Sequence, residues 1–353
     1  ILVMPPSFPV GGMENPRLAF VTPTTIAGDR SLVSVIAQEI AHSWSGNLVT
    51  QSTWRDLWLT EGLTAYLQSR ITEAVDGERQ NAMERTLGVR TLRGELARIR
   101  PEQQTLAVDL RGRDPGEVLS AIACEKGRLF LTYLDGKFGR ARFDAFLRSY
   151  FEHFEFQSVT TLQFETYLQT QLLDRFPGIV SPAQARTWIY APGIPADALL
   201  PASEAFATVD AERTRWLEGR PAKTLDTRSW AAQQWIYFLD AMPAALTAAQ
   251  CKDLDTTFGF TRTTNSEIAR SWFTLVIRNL YQPAYARLED YLQTIGRRRL
   301  IVPLYEEMMK TPAGAAQAKR VYALARPGYQ SQTVAALDAI VKPQADKGDS
   351  LDD

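Results

Sequence analysis

The chain holds two histidines, and one of them, His42, closes the run Gln38-Glu39-Ile40-Ala41-His42. On a helix, residues four apart project from one face, so Gln38 and His42 share a side with Glu39 next to them. Glu61 follows nineteen positions after His42, framed as Trp58-Leu59-Thr60-Glu61-Gly62. With histidine at the first position, the pattern H-E-x-x-H plus a downstream carboxylate holds zinc through two imidazoles and one carboxylate. The fourth position is left to water, and the intervening glutamate takes its proton. Here Gln38 stands at the first position. A bare Q-E-x-x-H says little, because a lone histidine is more often an ordinary surface or core residue. The carboxylate at the right separation, in that Trp-Leu-x-Glu-Gly frame, is what gives the spacing weight.

These residues need helices to present them. Leu32, Val35, Ile36, Glu39, Ile40 and Ser43 recur at helical spacing, and Gly46-Asn47 is a stop signal. Further helices are expected near 54–74, 118–134, 141–154 and 162–173, the last with a capped start at 158–161. Before them, residues 1–4 and 18–22 read as short strands punctuated by Pro5, Pro6, Pro9, Gly11 and Gly12. The Pro- and Gly-rich stretch 188–195 reads as a linker. Beyond it the sequence is helix upon helix, with segments expected at 203–217, 229–241, 248–258, 266–281, 284–295, 300–310, 313–325 and 333–341. Their short connections suggest antiparallel pairs stacked as a coil or bundle. The end, from about 342, reads as a polar tail. The apolar start, Ile1-Leu2-Val3-Met4, reads as a cut inside a larger protein that leaves apolar surface around residues 1–4.

Four stretches together resemble the M-one family of zinc aminopeptidases, of gluzincin type, and within it the leukotriene A(4) hydrolase/aminopeptidase branch. They are Gly11-Gly12-Met13-Glu14-Asn15 within 5–16, the segment 37–50, the segment 58–66, and Glu125-Lys126-Gly127. The likeness runs to about residue 340. It implies a mainly α chain: the latter part of a thermolysin-like zinc peptidase domain over 1–192, with short strands and then helices, a linker at 193–202, and an all-helical, superhelical C-terminal domain over 203–341. It implies roles as well. His42 and Glu61 would be ligands of one zinc ion, and Glu39 the general base. Glu14, with Gly11, Gly12, Met13 and Asn15, would bind the free amine of a peptide, a contact that charge-assisted hydrogen bonding makes strong. Arg297 and Arg299 would grip a distal carboxylate. Read without the likeness, Glu14 is a solvated turn residue, and the two arginines belong to an exposed cluster at a helix start.

The pattern breaks at two places. An amide oxygen at Gln38 is a poor zinc donor beside imidazole nitrogen. Loss of an outer partner of a metal ligand already costs ~10–100-fold, and loss of a ligand should cost more. Without the metal, Glu39 would face water of pKa ~15.7 rather than ~7. The second break is Cys124, where the family carries a tyrosine that hydrogen-bonds the tetrahedral oxyanion. A thiol is shorter and a weak donor, and one lost oxyanion donor costs ~2.7–4 kcal/mol. Cys124 reads as a small buried thiol, too short to become a replacement ligand without backbone movement. Thr60, where the family has Asn, is a mild change.

Bulk composition fits a packed protein, with 45% hydrophobic and 22% charged residues. The formal net charge of −1 offers no basic field for nucleic acid or an anionic membrane. No apolar run approaches the ~20 residues of a membrane span. Two cysteines cannot build a disulfide framework. With no export signal, a cytoplasmic location is expected. Three functions compete at this point: a zinc aminopeptidase with impaired turnover, a catalytically inactive relative that binds peptides or partner proteins, and a helical scaffold.

Overall fold

The computed structural model describes residues 1–111 and 120–342. The expected polar tail lies outside the described residues beyond Lys342. The chain is mainly α and divides into two compact units that are not consecutive in sequence. One joins Ile1–Met13 and Phe20–Leu32 to Ala205–Asp353, and the other joins Glu14–Ala19 to Val33–Glu204. Of the expected 1–192 domain, the first two segments thus make their contacts with the C-terminal residues.

Helices α1 (Val33–Ala41), α2 (Leu57–Asp76), α3 (Glu78–Leu96), α4 (Gly127–Phe138), α5 (Arg140–His153), α6 (Thr161–Leu168) and α7 (Pro182–Tyr190) build the second unit. Its aromatic centre explains why these segments are helical despite several β-branched residues. Trp58 lies edge-on to Phe164 at 5.3 Å, and Phe130 stacks on Trp188 at 5.7 Å. Trp58 is pinned further by its indole N–H, which donates to Thr161 Oγ1 at 3.0 Å. Asp56 Oδ1 accepts from both the backbone N–H and the hydroxyl of Thr161, joining the start of α2 to that of α6. The α6 start is a capping box of Thr160 and Gln163.

Three departures from the sequence reading have physical causes. The long helix α3 was not anticipated because it is rich in charge and buries little beyond Asn81, Met83, Val89 and Leu92. The stretch expected to open a linker instead completes α7, where Trp188 and Ile189 are wholly buried. The helix expected over 118–134 begins, among the described residues, with a π-helical turn at Ile122–Lys126 that passes into α4.

In the first unit, strands β1 (Leu2–Val3), β2 (Gly12–Met13) and β3 (Phe20–Val21) form a sheet in the order β1-β3-β2. β1 runs parallel to β3 and β2 antiparallel to it. Ile1, Leu2 and Val3 are exposed, so apolar surface lies where the sequence expected it. The second unit holds one parallel pair, β4 (Val49–Gln51) with β5 (Gln157–Val159). Helices α8 (Glu204–Leu217), α9 (Ala232–Asp240), α10 (Ala248–Phe258), α11 (Ser266–Arg278), α12 (Tyr285–Thr294), α13 (Arg298–Met308), α14 (Pro312–Ala325) and α15 (Ser331–Val341) follow in chain order, each within three residues of its expected bounds.

Candidate functional site

Helix α1 carries Gln38 and Glu39, and the His42 N–H continues the helical turn by donating to the Gln38 carbonyl at 3.1 Å. Glu39 is buried at 6% exposure and His42 at 2%. The chain then turns through Ser45 and Gly46 and wraps the imidazole. Nδ1 of His42 lies 3.0 Å from the Ser45 carbonyl oxygen and 3.1 Å from the Thr64 hydroxyl. Gly46 adopts φ +126°, and a Cβ there would stand 3.2 Å from Nδ1, so the turn requires glycine on both counts.

Helix α2 brings Glu61 to this place. Its position is set by the loop, because the Ser45 hydroxyl contacts the carbonyls of Leu59 and Thr60 at 3.1 and 3.0 Å. On its other side α2 meets the π-helical turn, backbone to backbone. A Cβ on Gly62 would sit 2.9 Å from the Gly127 Cα. Only two glycines permit that approach. It explains the Glu-Gly and Glu-Lys-Gly frames, and it lets the Cys124 thiol donate to Glu61 Oε2 at 3.3 Å.

The electrostatics follow from burial. Burial pushes the Glu61 carboxyl above its ordinary value; His42 and the Cys124 hydrogen bond pull it back, and Glu14 pushes it up again. Burial, followed by the charges of Glu61 and Glu125, pushes the Cys124 thiol well above its usual range, so it stays protonated. Glu14 reaches the same cluster, with Oε1 4.0 Å from His42 Nδ1. Its backbone carbonyl accepts from Asn47 Nδ2 at 2.8 Å. Glu14, His42, Glu61 and Cys124 therefore meet within one unit. Asn15 beside them has a buried Nδ2 with no hydrogen-bond partner. Gly11, Gly12 and Met13 fall with the other unit, where the Gly11 carbonyl accepts from the Thr22 N–H at 3.0 Å and Gly12-Met13 form β2.

Arg297 and Arg299 lie on either side of the α13 start, and both are engaged by Glu267 of α11. Arg297, 5% exposed, donates to Glu267 Oε1 at 3.1 Å and to the Thr24 hydroxyl at 3.2 Å. Arg299 keeps a largely exposed side chain but reaches Glu267 Oε2 at 2.8 Å. A partly buried lysine is ordinarily paired with a carboxylate; Lys126 is not. Fully buried, it donates to the carbonyls of Gln104 and Ala191 at 2.8 and 2.7 Å, and burial lowers its pKa to about 7. Sequence reasoning named neither Lys126 nor Thr64 as working residues, since their partners are backbone atoms brought near only by the fold.

The donor chemistry of His42 and Glu61 fits zinc: one is an imidazole with one nitrogen already engaged, the other a half-buried carboxylate. Gln38 adds only an amide. Accordingly, among the described residues no group of three His, Cys, Asp or Glu could hold a metal ion.

Comparison with known proteins agrees with this local picture. Residues 1–180 match the peptidase family M1 domain, and residues 230–341 match the C-terminal domain of leukotriene A4 hydrolase. Leucine aminopeptidase 2 of Yarrowia lipolytica is 35% identical over 335 residues, covering 87% of this chain and 51% of the relative. Aminopeptidase B of Mus musculus is 33% identical over 371 residues, covering 98% of this chain and 56% of the relative. The chain thus spans about half the length of the curated relatives it matches. The structure of yeast leukotriene A4 hydrolase in complex with bestatin superposes with a TM-score of 0.88 at 28% identity, covering 96% of this chain and 59% of that one. Fold, motif spacing and relatives converge, and the chain belongs to peptidase family M1.

Proposed function

We propose that this chain serves a zinc-dependent aminopeptidase reaction, removal of N-terminal residues from peptides, with zinc binding weakened and turnover impaired by its own substitutions. The observation that carries the reading is the meeting of Glu14, His42, Glu61 and Cys124 in one unit. His42 and Glu61 would hold the ion, with Gln38 a weak third donor. Zinc held there supplies Lewis acidity and lowers the pKa of a water from ~15.7 toward ~7.

The remaining steps fall to the chain's own residues. Glu39, buried one position after Gln38, takes a proton from the attacking water. Glu14 receives the peptide's free ammonium, and the resemblance assigns Gly11, Gly12, Met13 and Asn15 to substrate binding as well. Cys124 occupies the oxyanion-donor position, but its proton is committed to Glu61, which leaves the developing charge poorly stabilised. The engagement of Arg297 and Arg299 by Glu267 supports an architectural part for this pair beside any grip on a carboxylate.

The test compares the chain with the double variant Gln38→His, Cys124→Tyr. Zinc content and hydrolysis of an aminoacyl chromogenic substrate are both measured. The double variant should bind zinc more tightly and turn over at least ~10²-fold faster, the scale of one restored oxyanion donor. Equal zinc content and equal rates in the two proteins would overturn the reading. Peptide binding without hydrolysis in both would favour the alternative, an inactive relative that holds peptide N-termini; the thiol's engagement of Glu61 is the feature that speaks for it.

A further inference from the structure

We infer that Thr64, acting with the Ser45 carbonyl, is a positioning residue that fixes the His42 ring with its hydrogen on Nδ1 and its Nε2 lone pair free to bind a metal. The inference rests on the reading of His42 as a ligand, and it follows from a count of hydrogens. A carbonyl oxygen has none to give. With the Ser45 oxygen 3.0 Å from His42 Nδ1, that nitrogen must be the donor. The Thr64 hydroxyl lies 3.1 Å from the same nitrogen and 3.0 Å from the same carbonyl oxygen. Its single hydrogen goes to the Ser45 oxygen, so it turns a lone pair toward Nδ1–H. One ring hydrogen is thereby shared between two acceptors that are themselves bonded to each other.

The acceptors are held rigidly. Thr64 is wholly buried on α2, one helical turn after Thr60. Ser45 is buried too, and its hydroxyl contacts two carbonyls of the same helix, Leu59 and Thr60. The turn runs close beside the ring, since a Cβ added at Gly46 would stand 3.2 Å from Nδ1. In the neutral imidazole, a hydrogen fixed on Nδ1 leaves Nε2 as the donor atom. Outer partners of this kind set the tautomer and orientation of metal-binding histidines. The arrangement also couples the two ligand-bearing helices, since Thr64 of α2 orients the histidine that follows α1.

Two readouts test it, one needing no metal. Long-range ¹H–¹⁵N spectra of the metal-free chain, at a pH about two units above the ~6.5 of a free imidazole, report which ring nitrogen carries hydrogen. With two histidines in the chain, a His153→Gln variant assigns the signals. The wild-type His42 ring should show a protonated Nδ1 and a pyridine-type Nε2; the opposite pattern would overturn the inference without recourse to any variant. Thr64→Val keeps the shape and removes the lone pair. The Ser45 carbonyl still accepts from Nδ1, so the variant should keep the tautomer while the Nδ1–H signal shifts and broadens as one acceptor is lost. Zinc binding should weaken ~10–100-fold, measured by competition with a chromophoric chelator; Thr64→Ser should restore both. A Thr64→Val protein with an unchanged Nδ1–H signal and unchanged zinc affinity would also overturn it. If the wild type shows the expected ring pattern yet takes up no zinc, the metal reading of the site fails, while the positioning of the ring stands.

Discussion

Glu61 and Glu267 are the same residue type; Glu267 is buried in the first turn of its helix, where the macrodipole favours a negative charge, and Glu61 is half-buried in the second turn of its own. Their carboxyls nonetheless shift in opposite directions. Burial pushes Glu267 up, but Arg299, Arg297 and Arg270 outweigh it and hold the group below its ordinary value. Burial pushes Glu61 up as well, and the groups acting on it are His42, the Cys124 thiol and Glu14, none of them lysine or arginine. Desolvation is common to both, and what differs is whether the chain supplies a fixed positive charge. A carboxylate closed by two guanidiniums is architecture. One buried against an imidazole and another carboxylate is left in need of a cation from outside the chain.

The comparison breaks most visibly at Glu267→Gln. The amide keeps the shape but removes the carboxylate that faces the buried Arg297 guanidinium, which should cost about 3–5 kcal/mol of unfolding free energy by denaturant titration. Equal stability of the variant would show that the arginines had relaxed to solvent. Lys126 offers an intermediate case, a buried cation satisfied by carbonyls alone. Lys126→Met orphans the Gln104 and Ala191 carbonyls and should cost about 1–3 kcal/mol. It should also change the pH profile. The folded pKa of Lys126, about 7, lies below its ordinary 10.5, so the folded state binds fewer protons between those values. Its contribution is present above 10.5 and lost as pH falls through about 7. Unfolding free energy measured across that window should rise with pH in the wild type and flatten in Lys126→Met.

Much of the fold was open to sequence reading because helical periodicity and stop signals are local. The eight helices of the C-terminal stretch needed nothing else, whereas α3 and α7 were missed for opposite reasons. The first is too polar for its apolar stripe to stand out, and the second ends in a Pro-Gly run that reads as linker until Trp188 is found packed on Phe130. In the site, spacing and the Trp-Leu-x-Glu-Gly frame suggested that His42 and Glu61 act together, and in the fold the charge of His42 acts on the Glu61 carboxyl. Spacing left the Cys124 thiol without a partner, because the Gly62–Gly127 contact that carries its sulfur to Glu61 joins positions far apart in the chain. Arg297 and Arg299 were legible as a basic pair, but their counter-charge sits about thirty residues upstream on α11. The hold on His42 was less legible still, since one of its two acceptors is a backbone carbonyl that any residue could have supplied.

The smallest effect sharpens the comparison furthest. In the presence of a chelator, Glu61→Gln should be as stable as the wild type or more so, by no more than about 1 kcal/mol near neutral pH, since it removes a desolvated charge that no lysine or arginine offsets. The sign follows from the direction of the shift. A carboxyl whose folded pKa is raised contributes stability present below its ordinary 4.5 and lost as pH rises through the folded value. The variant's advantage should therefore shrink as the pH is lowered toward 4.5. Adding zinc should reverse the order, raising the wild-type melting temperature through binding to the folded state while leaving Glu61→Gln unmoved. A chelated Glu61→Gln protein that lost several kcal/mol, as Glu267→Gln is expected to, would mean that Glu61 is held by the fold for its own sake, and the contrast between the two glutamates would vanish.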